Sequence, residues 1–469
     1  MRQTNFALAL LTAAVLAACG GSSGGDQALK TKFSSQVTFG DSLADVGTYN
    51  VGAVKAAGGG KYTINGDNTA KNAALTGKNW TELMAAQFGL PAPCAAQTGL
   101  DGDASKGFSV PVVNNLACTG YAQGGARVTN PVGPGNKLTG SPIGQLTVPL
   151  VTQVATHLSR NGGKFKGDEV VFMIAGGNDA LSLLGQLSAG ATAAGQAAGA
   201  AEGAKVGAEV FANNLTAQLA AGAANPATAA QAIGAALLAE SARPGHTDAS
   251  VIGAAVQAAA TQPGNAAVGA QAVYGPMVLK AQAAAGTAGA SAGAAAGARA
   301  GAAYAAAEGP KMVTAMGVAG AEMAALIKTQ AVAKGANYVA VGNLPDLGST
   351  PSANAQDANT QALIKAMVSA FNSQLKAGVD GEAKVLVVDL WSISHDQITN
   401  PGPYGLTNTS TPACGPNVFG TTSLGCNGSN TIAGDVSRYM FADEIHPTPF
   451  ENALIAKYVA EQMIVKGWL

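Results

Sequence analysis

Four short apolar runs, the first three meeting glycine with aspartate or asparagine at their ends, constrain the fold more than any other feature of the chain. Val37-Thr38-Phe39 stops at Gly40-Asp41-Ser42, and the run from Asp168 to Ala175 stops at Gly176-Gly177-Asn178-Asp179. Tyr338-Val339-Ala340-Val341 leads into Gly342-Asn343-Leu344-Pro345-Asp346, and Lys384 to Leu390 forms the last run. Continuous apolar strands of this kind are buried on both faces, as in parallel sheets. Helical patterns lie between them at Trp80–Phe88, Ile143–Leu158, Met312–Val332, Ala355–Leu375 and Phe450–Lys466. Alternating strands and helices predict an α/β fold with a parallel sheet covered on both faces. Open sheets of that type bind ligands beyond the carboxyl ends of their strands, where Ser42 and Asn178 fall.

From about Gly185 to Gly335 the composition turns to alanine and glycine with few charges. Alanine is the best helix former, and Pro226, Pro244, Pro263, Pro276 and Pro310 divide the stretch into pieces of helical length. Several small-residue helices packed closely together are expected. The many glycines leave a disordered low-complexity arm as the alternative. No sustained run of large apolar side chains occurs, so no transmembrane helix is expected. Between Pro91 and Asn115 the chain reads as irregular, Cys118–Arg127 reads as a short strand-like piece opening into a double glycine, and Ser394–Ser437 reads as a polar loop.

The amino-terminal residues carry Arg2, an apolar run from Phe6 to Ala18, and then Cys19 before a Gly/Ser segment. This is the pattern of a secretory signal. Leu16-Ala17-Ala18-Cys19 resembles a bacterial lipobox, which implies cleavage before Cys19, lipid attachment to it, and anchoring in a membrane. Glycine after Cys19 favours the outer membrane or cell surface. Setting Cys19 aside leaves Cys94, Cys118, Cys414 and Cys426, and four cysteines allow three connectivities. Closing short loops costs least entropy, which favours Cys94–Cys118 and Cys414–Cys426 in an oxidising compartment. A zinc site is the alternative, opposed by the absence of C-x-x-C spacing and by only four histidines. The net charge of -1 gives no electrostatic footprint for nucleic acid.

Gly40-Asp41-Ser42 alone reads equally well as a turn. Near the far end, Asp443-Glu444-Ile445-His446 supplies a histidine with a carboxylate three residues before it. Gly40-Asp41-Ser42-Leu43, Gly125, Gly176-Gly177-Asn178-Asp179 and Asp443-Glu444-Ile445-His446 occur in the order of the blocks of the GDSL or SGNH hydrolases, which the chain resembles. Gly342-Asn343-Leu344-Pro345-Asp346-Leu347-Gly348 and Phe441-Ala442-Asp443 also look like that family's bacterial esterase and lipase branch. The resemblance implies a three-layer α/β/α sandwich, departing from the family in its long Ala/Gly-rich helical insertion. It implies Ser42 as nucleophile, His446 as base, Asp443 as orienting acid, and Ser42, Gly125 and Asn178 as oxyanion donors, without metal or cofactor.

The resulting division is a signal peptide at 1–18, a lipid-anchored linker at 19–33, hydrolase core at 34–185 and 311–469, and the insertion at 186–310. The expected function is a serine esterase or lipase that takes a small-molecule or lipid ester and forms an acyl-enzyme on Ser42. The alternatives are a phospholipase or lipid acyltransferase, and a surface interaction lipoprotein with a non-catalytic hydrolase scaffold. Asp41, Asp45 and Asp179 read as loop-bracing carboxylates, and His157, His246 and His395 as surface or core histidines without a carboxylate nearby. The Asn343–Asp346 turn reads as shaping the sheet edge rather than touching substrate.

Overall fold

The computed structural model describes residues 31–66 and 73–469; the expected signal peptide and Cys19 lie outside the described residues. Its first part contains β1 (Gln36–Gly40), α1 (Gly52–Ala56), α2 (Trp80–Gln87), β2 (Gln97–Asp101), β3 (Ser109–Asn114), α3 (Leu150–Arg160) and β4 (Val170–Ile174). Then come α4 (Gly177–Ala220), α5 (Pro226–Ser241), α6 (Asp248–Ala260) and α7 (Gln271–Leu326). The chain ends with β5 (Tyr338–Gly342), α8 (Pro351–Asn354), α9 (Ala358–Val379), β6 (Val385–Val388), α10 (Leu390–Thr399) and α11 (Pro449–Val465). It divides into two compact units, one of Met1–Leu184 with Pro310–Leu469 and one of Gly185–Gly309.

In the first unit β1, β4, β5 and β6 form a four-stranded parallel sheet in that spatial order. The fold class is therefore α/β. Alternate residues face opposite sides of a strand. Val37, Phe39, Val171, Met173, Val339 and Val341 pack with Leu150 and Val154 of α3 and Met367 and Phe371 of α9. The intervening Val170, Phe172, Ile174 and Val388 pack with Trp80 and Met84 of α2 and Val459 and Met463 of α11. Helices thus cover both faces, an arrangement compatible with three layers. Local signals set the helix starts: Asn79 and Glu82 form a capping box for α2, and Thr448 followed by Pro449 starts α11.

Several expectations are corrected. The irregular region after Pro91 contains the antiparallel β2–β3 hairpin, whose internal Gly99 and Pro111 and shifted register hide any alternating pattern. Cys118–Arg127 is no strand and, among the described residues, makes only isolated bridges through Gly120. The expected helix from Ile143 starts at Leu150, after Pro149 in an extended cap position. The expected polar loop from Ser394 begins inside α10. Both expected disulfide pairs, Cys94–Cys118 and Cys414–Cys426, are present.

Pro276 and Pro310 do not divide the chain, because α7 runs through both. Each proline removes one backbone hydrogen bond, and the remaining bonds of the 56-residue helix continue on either side of it. Gly195, Gly199 and Gly203 of α4 lie against Gly297, Gly293 and Gly289 of α7, so closely that a Cβ would come within 3 Å of a backbone carbonyl oxygen. A separate core gathers Leu215, Leu219, Ile233, Leu237 and Val256. The helical run Gln271–Lys334 holds an 18-residue window of mean hydropathy 1.2 and is long and apolar enough to cross a membrane by length and composition alone.

Candidate active site

β1 ends at Gly40, whose φ of 153° and close approach to β4 require glycine: a Cβ there would lie 2.3 Å from the Ile174 carbonyl oxygen. Gln153 of α3 clamps this residue from both sides. Its Oε1 accepts from Gly40 N and its Nε2 donates to Gly40 O, each at 2.8 Å. Ser42 therefore leaves the strand from a pinned turn. Asp41 beside it accepts from Leu43 N at 3.1 Å.

The loop before α11 brings His446 to the serine, with His446 Nε2 2.8 Å from Ser42 Oγ. On the other side of the ring, His446 Nδ1 lies 2.8 Å from Asp443 Oδ2. Asp443 is buried and its Oδ1 accepts the backbone N–H groups of Ile445 at 2.9 Å and His446 at 2.8 Å. Its Oδ2 accepts from Ser423 N at 2.6 Å. Burial opposes the Asp443 anion, but the facing His446 and the hydrogen bonds from His446 and Ser423 hold its carboxyl well below the ordinary range. Burial likewise opposes the imidazolium, yet Asp443, and then Asp41, raise His446 above its ordinary value. For Asp41, burial dominates and pushes the carboxyl up to about 7, against the Leu43 hydrogen bond and His446.

Gly125 and Asn178 line the same pocket as Ser42 and His446. Gly125 has φ of 80°, and a Cβ would meet the Pro134 carbonyl oxygen at 2.3 Å. The neighbouring Gly124 N–H already donates to Asp45 Oδ2 at 2.9 Å, so it is engaged elsewhere. Asn178, at the start of α4, donates from Nδ2 to Ala126 O at 2.9 Å. A primary amide has two hydrogens, which leaves one for a ligand. Asp179 braces this loop through Arg127 Nε at 2.9 Å and Val128 N at 3.0 Å.

The pocket has room for about 170 Å³, and its apolar wall includes Leu181, Leu344, Pro345, Leu347 and Ile445. The Asn343–Asp346 turn thus lines the site through Leu344 and Pro345, correcting the expectation that it only shapes the sheet edge. Two histidines also depart from expectation. His395 Nδ1 sits 2.8 Å from Asp346 Oδ2, and buried His157 lies 3.8 Å from Glu169 Oε1. The residues were too far apart in sequence for spacing to reveal either pair. Tyr62, absent from the sequence expectations, places its ring 4.7 Å from the His446 ring. Gln153, Ser423 and Tyr62 carry no local motif, so only tertiary proximity identifies them.

No protein-family model matches the chain. Over 138 residues it is 28% identical to the GDSL esterase/lipase APG of Arabidopsis thaliana, a match covering 27% of this chain and 39% of that protein. Over 81 residues it is 32% identical to the GDSL esterase/lipase At2g40250 of the same plant, covering 17% of this chain and 22% of that one. Over 131 residues it is 31% identical to esterase EstA of Pseudomonas aeruginosa, covering 26% and 19%. The chain therefore spans no more than 39% of the length of these relatives.

Proposed function

We propose that this chain, which its relatives support assigning to the GDSL hydrolase family, is a serine carboxylic-ester hydrolase that works through an acyl-enzyme on Ser42. The observation that carries the reading is the 2.8 Å approach of His446 Nε2 to Ser42 Oγ, backed by Asp443 on the opposite ring nitrogen. A serine hydroxyl attacks an ester once an adjacent imidazole removes its proton. Asp443 then selects the tautomer and stabilises the imidazolium. The oxyanion forms against the backbone N–H groups of Ser42 and Gly125 and the free amide hydrogen of Asn178. His446 returns the proton to the leaving alcohol, and a water deacylates Ser42 by the same steps.

The apolar wall of the pocket favours an acyl group without charge. We further propose export and anchoring through lipidated Cys19. Two disulfides support an oxidising compartment, and the lipobox-like Leu16–Cys19 supports the anchor. The test is covalent labelling with a fluorophosphonate together with hydrolysis of p-nitrophenyl acetate. Labelling confined to Ser42 and abolished in Ser42→Ala is the expected result. A folded protein that takes no label and cleaves no ester returns the fold to the role of a non-catalytic scaffold.

A further inference from the structure

Asp443 is supported from two sides of its carboxylate. Its own turn supplies the N–H groups of Ile445 and His446 to Oδ1. A different loop supplies the N–H of Ser423 to Oδ2 at 2.6 Å. Ser423 is fully buried and opens a 3₁₀ turn, Ser423–Gly425, with Thr422 as its cap. Cys426 N closes the turn on Ser423 O at 3.0 Å, and the Asn65 amide reaches Ser423 O at 3.2 Å and Cys426 O at 3.0 Å.

The Cys414–Cys426 bridge connects this turn to a second support. Ala413 N donates to Phe441 O at 2.9 Å and Cys414 N to Ala442 O at 2.8 Å. Residues 413–414 thus hold the chain that leads into Asp443. One covalent link therefore joins the backbone support of the acid to the donor on its carboxylate.

We propose that Ser423 is a positioning residue for the Asp443–His446 pair, and that the Cys414–Cys426 disulfide keeps its N–H against Asp443. The inference rests on the serine hydrolase reading above. A charge-assisted hydrogen bond from a fixed N–H both orients a carboxylate and takes up part of its charge. Without it, Asp443 turns more freely, and more of its charge falls on the imidazole. The titratable groups facing His446 are Asp443, Asp41 and Tyr62, and those facing Asp443 are His446 and Tyr62. Ser423 itself brings no charge, so its removal is read cleanly through the pair.

Ser423→Pro tests this, because proline deletes the N–H and suits the first position of a helical turn. Thr422 before it already has the extended backbone, with ψ of 139°, that a following proline needs. The expected result is a folded enzyme whose kcat falls by about 10- to 100-fold, as for a misplaced catalytic group, with KM little changed. The acid limb of its pH profile should move to higher pH. The downfield proton resonance of the His446 Nδ1–H should shift as well, which reports on the pair even if no ester is cleaved. Ser423→Ala keeps the N–H and removes only a hydroxyl whose oxygen, among the described residues, makes no hydrogen bond, so it should stay far closer to the wild type than the proline variant in both readouts. Cys414→Ser/Cys426→Ser should move limb and resonance in the same direction by less, and it decides the matter if the proline variant does not fold. Folded variants with wild-type kcat, limb and resonance overturn the proposal, whereas failure of Ser42 to label in the wild type overturns only the hydrolase reading.

Discussion

Asn178 is committed on one side and free on the other, since one amide hydrogen goes to Ala126 O and the residue lines the pocket. Asn178→Ala should therefore lower kcat by about 10²- to 10³-fold, the usual effect of losing one oxyanion donor, while KM and the rate of heat inactivation change little. Glu451 has the opposite character. It is buried, its Oε2 has no hydrogen-bond partner among the described residues, and burial raises its pKa well above the ordinary value despite a contact with Gln397. The folded chain thus keeps a proton there that the unfolded chain releases above about pH 4.3. Stability falls as pH rises from that point towards the folded pKa, by about 1.4 kcal/mol for each pH unit over which the difference persists. Glu451→Gln should leave the denaturation midpoint near pH 4 unchanged and raise it at pH 8; equal midpoints at pH 8 would show that the carboxyl ionises freely. Ser42, Asp443 and His446 were legible because each sits in a compact motif that already pairs strand end with turn or acid with base. Ser423 and Gln153 were not, because each acts through a contact made only after distant segments pack.

At the level of elements, the strands were legible because each is short, apolar and closed by glycine or a polar turn residue. The β2–β3 hairpin was not, since Gly99 and Pro111 break the period-two pattern while tertiary contacts, including Leu100 beside Tyr49 and Phe108, hold it in place. The composition of the small-residue segment predicts closely packed helices, and the pairing itself is carried by glycines spaced four apart. Such spacing returns to the same helix face. At Gly199 a Cβ would lie 2.8 Å from the Gly293 carbonyl oxygen, whereas at Gly207 it would lie 3.5 Å from the Ala285 oxygen, an ordinary contact. The two positions should respond with opposite sign. Gly199→Ala should destabilise the helical hairpin as backbone is forced apart, by about 1–3 kcal/mol. Gly207→Ala should be neutral or stabilising by up to about 1 kcal/mol, the difference in helix propensity. Denaturant unfolding followed by helical circular dichroism measures both, and a matching loss at the two sites would mean that α4 and α7 do not pair in this register.

For the whole molecule, the division into Met1–Leu184 with Pro310–Leu469 and Gly185–Gly309 separates chemistry from the small-residue segment. The pocket-lining residues fall between Asp41 and Leu181 or between Leu344 and His446, all in the first unit. The second unit has its own buried cluster around Leu219 and Ile233, so its removal leaves no unpaired half-core in the segment that remains. A convenient place to cut is also present: a Cβ at Gly190 would meet the Tyr304 ring, and Ala191 O lies near Gly301, so the two helices run side by side there. Replacing residues 192–300 with a short Gly/Ser turn should keep the sheet, the fluorophosphonate label on Ser42 and the rate on p-nitrophenyl acetate. Thermal unfolding establishes whether the shortened chain is folded, and the label then decides. If a folded variant no longer reacts at Ser42, the Ala/Gly-rich helices take part in assembling the nucleophile, and the separation of the two units into chemistry and accessory segment fails.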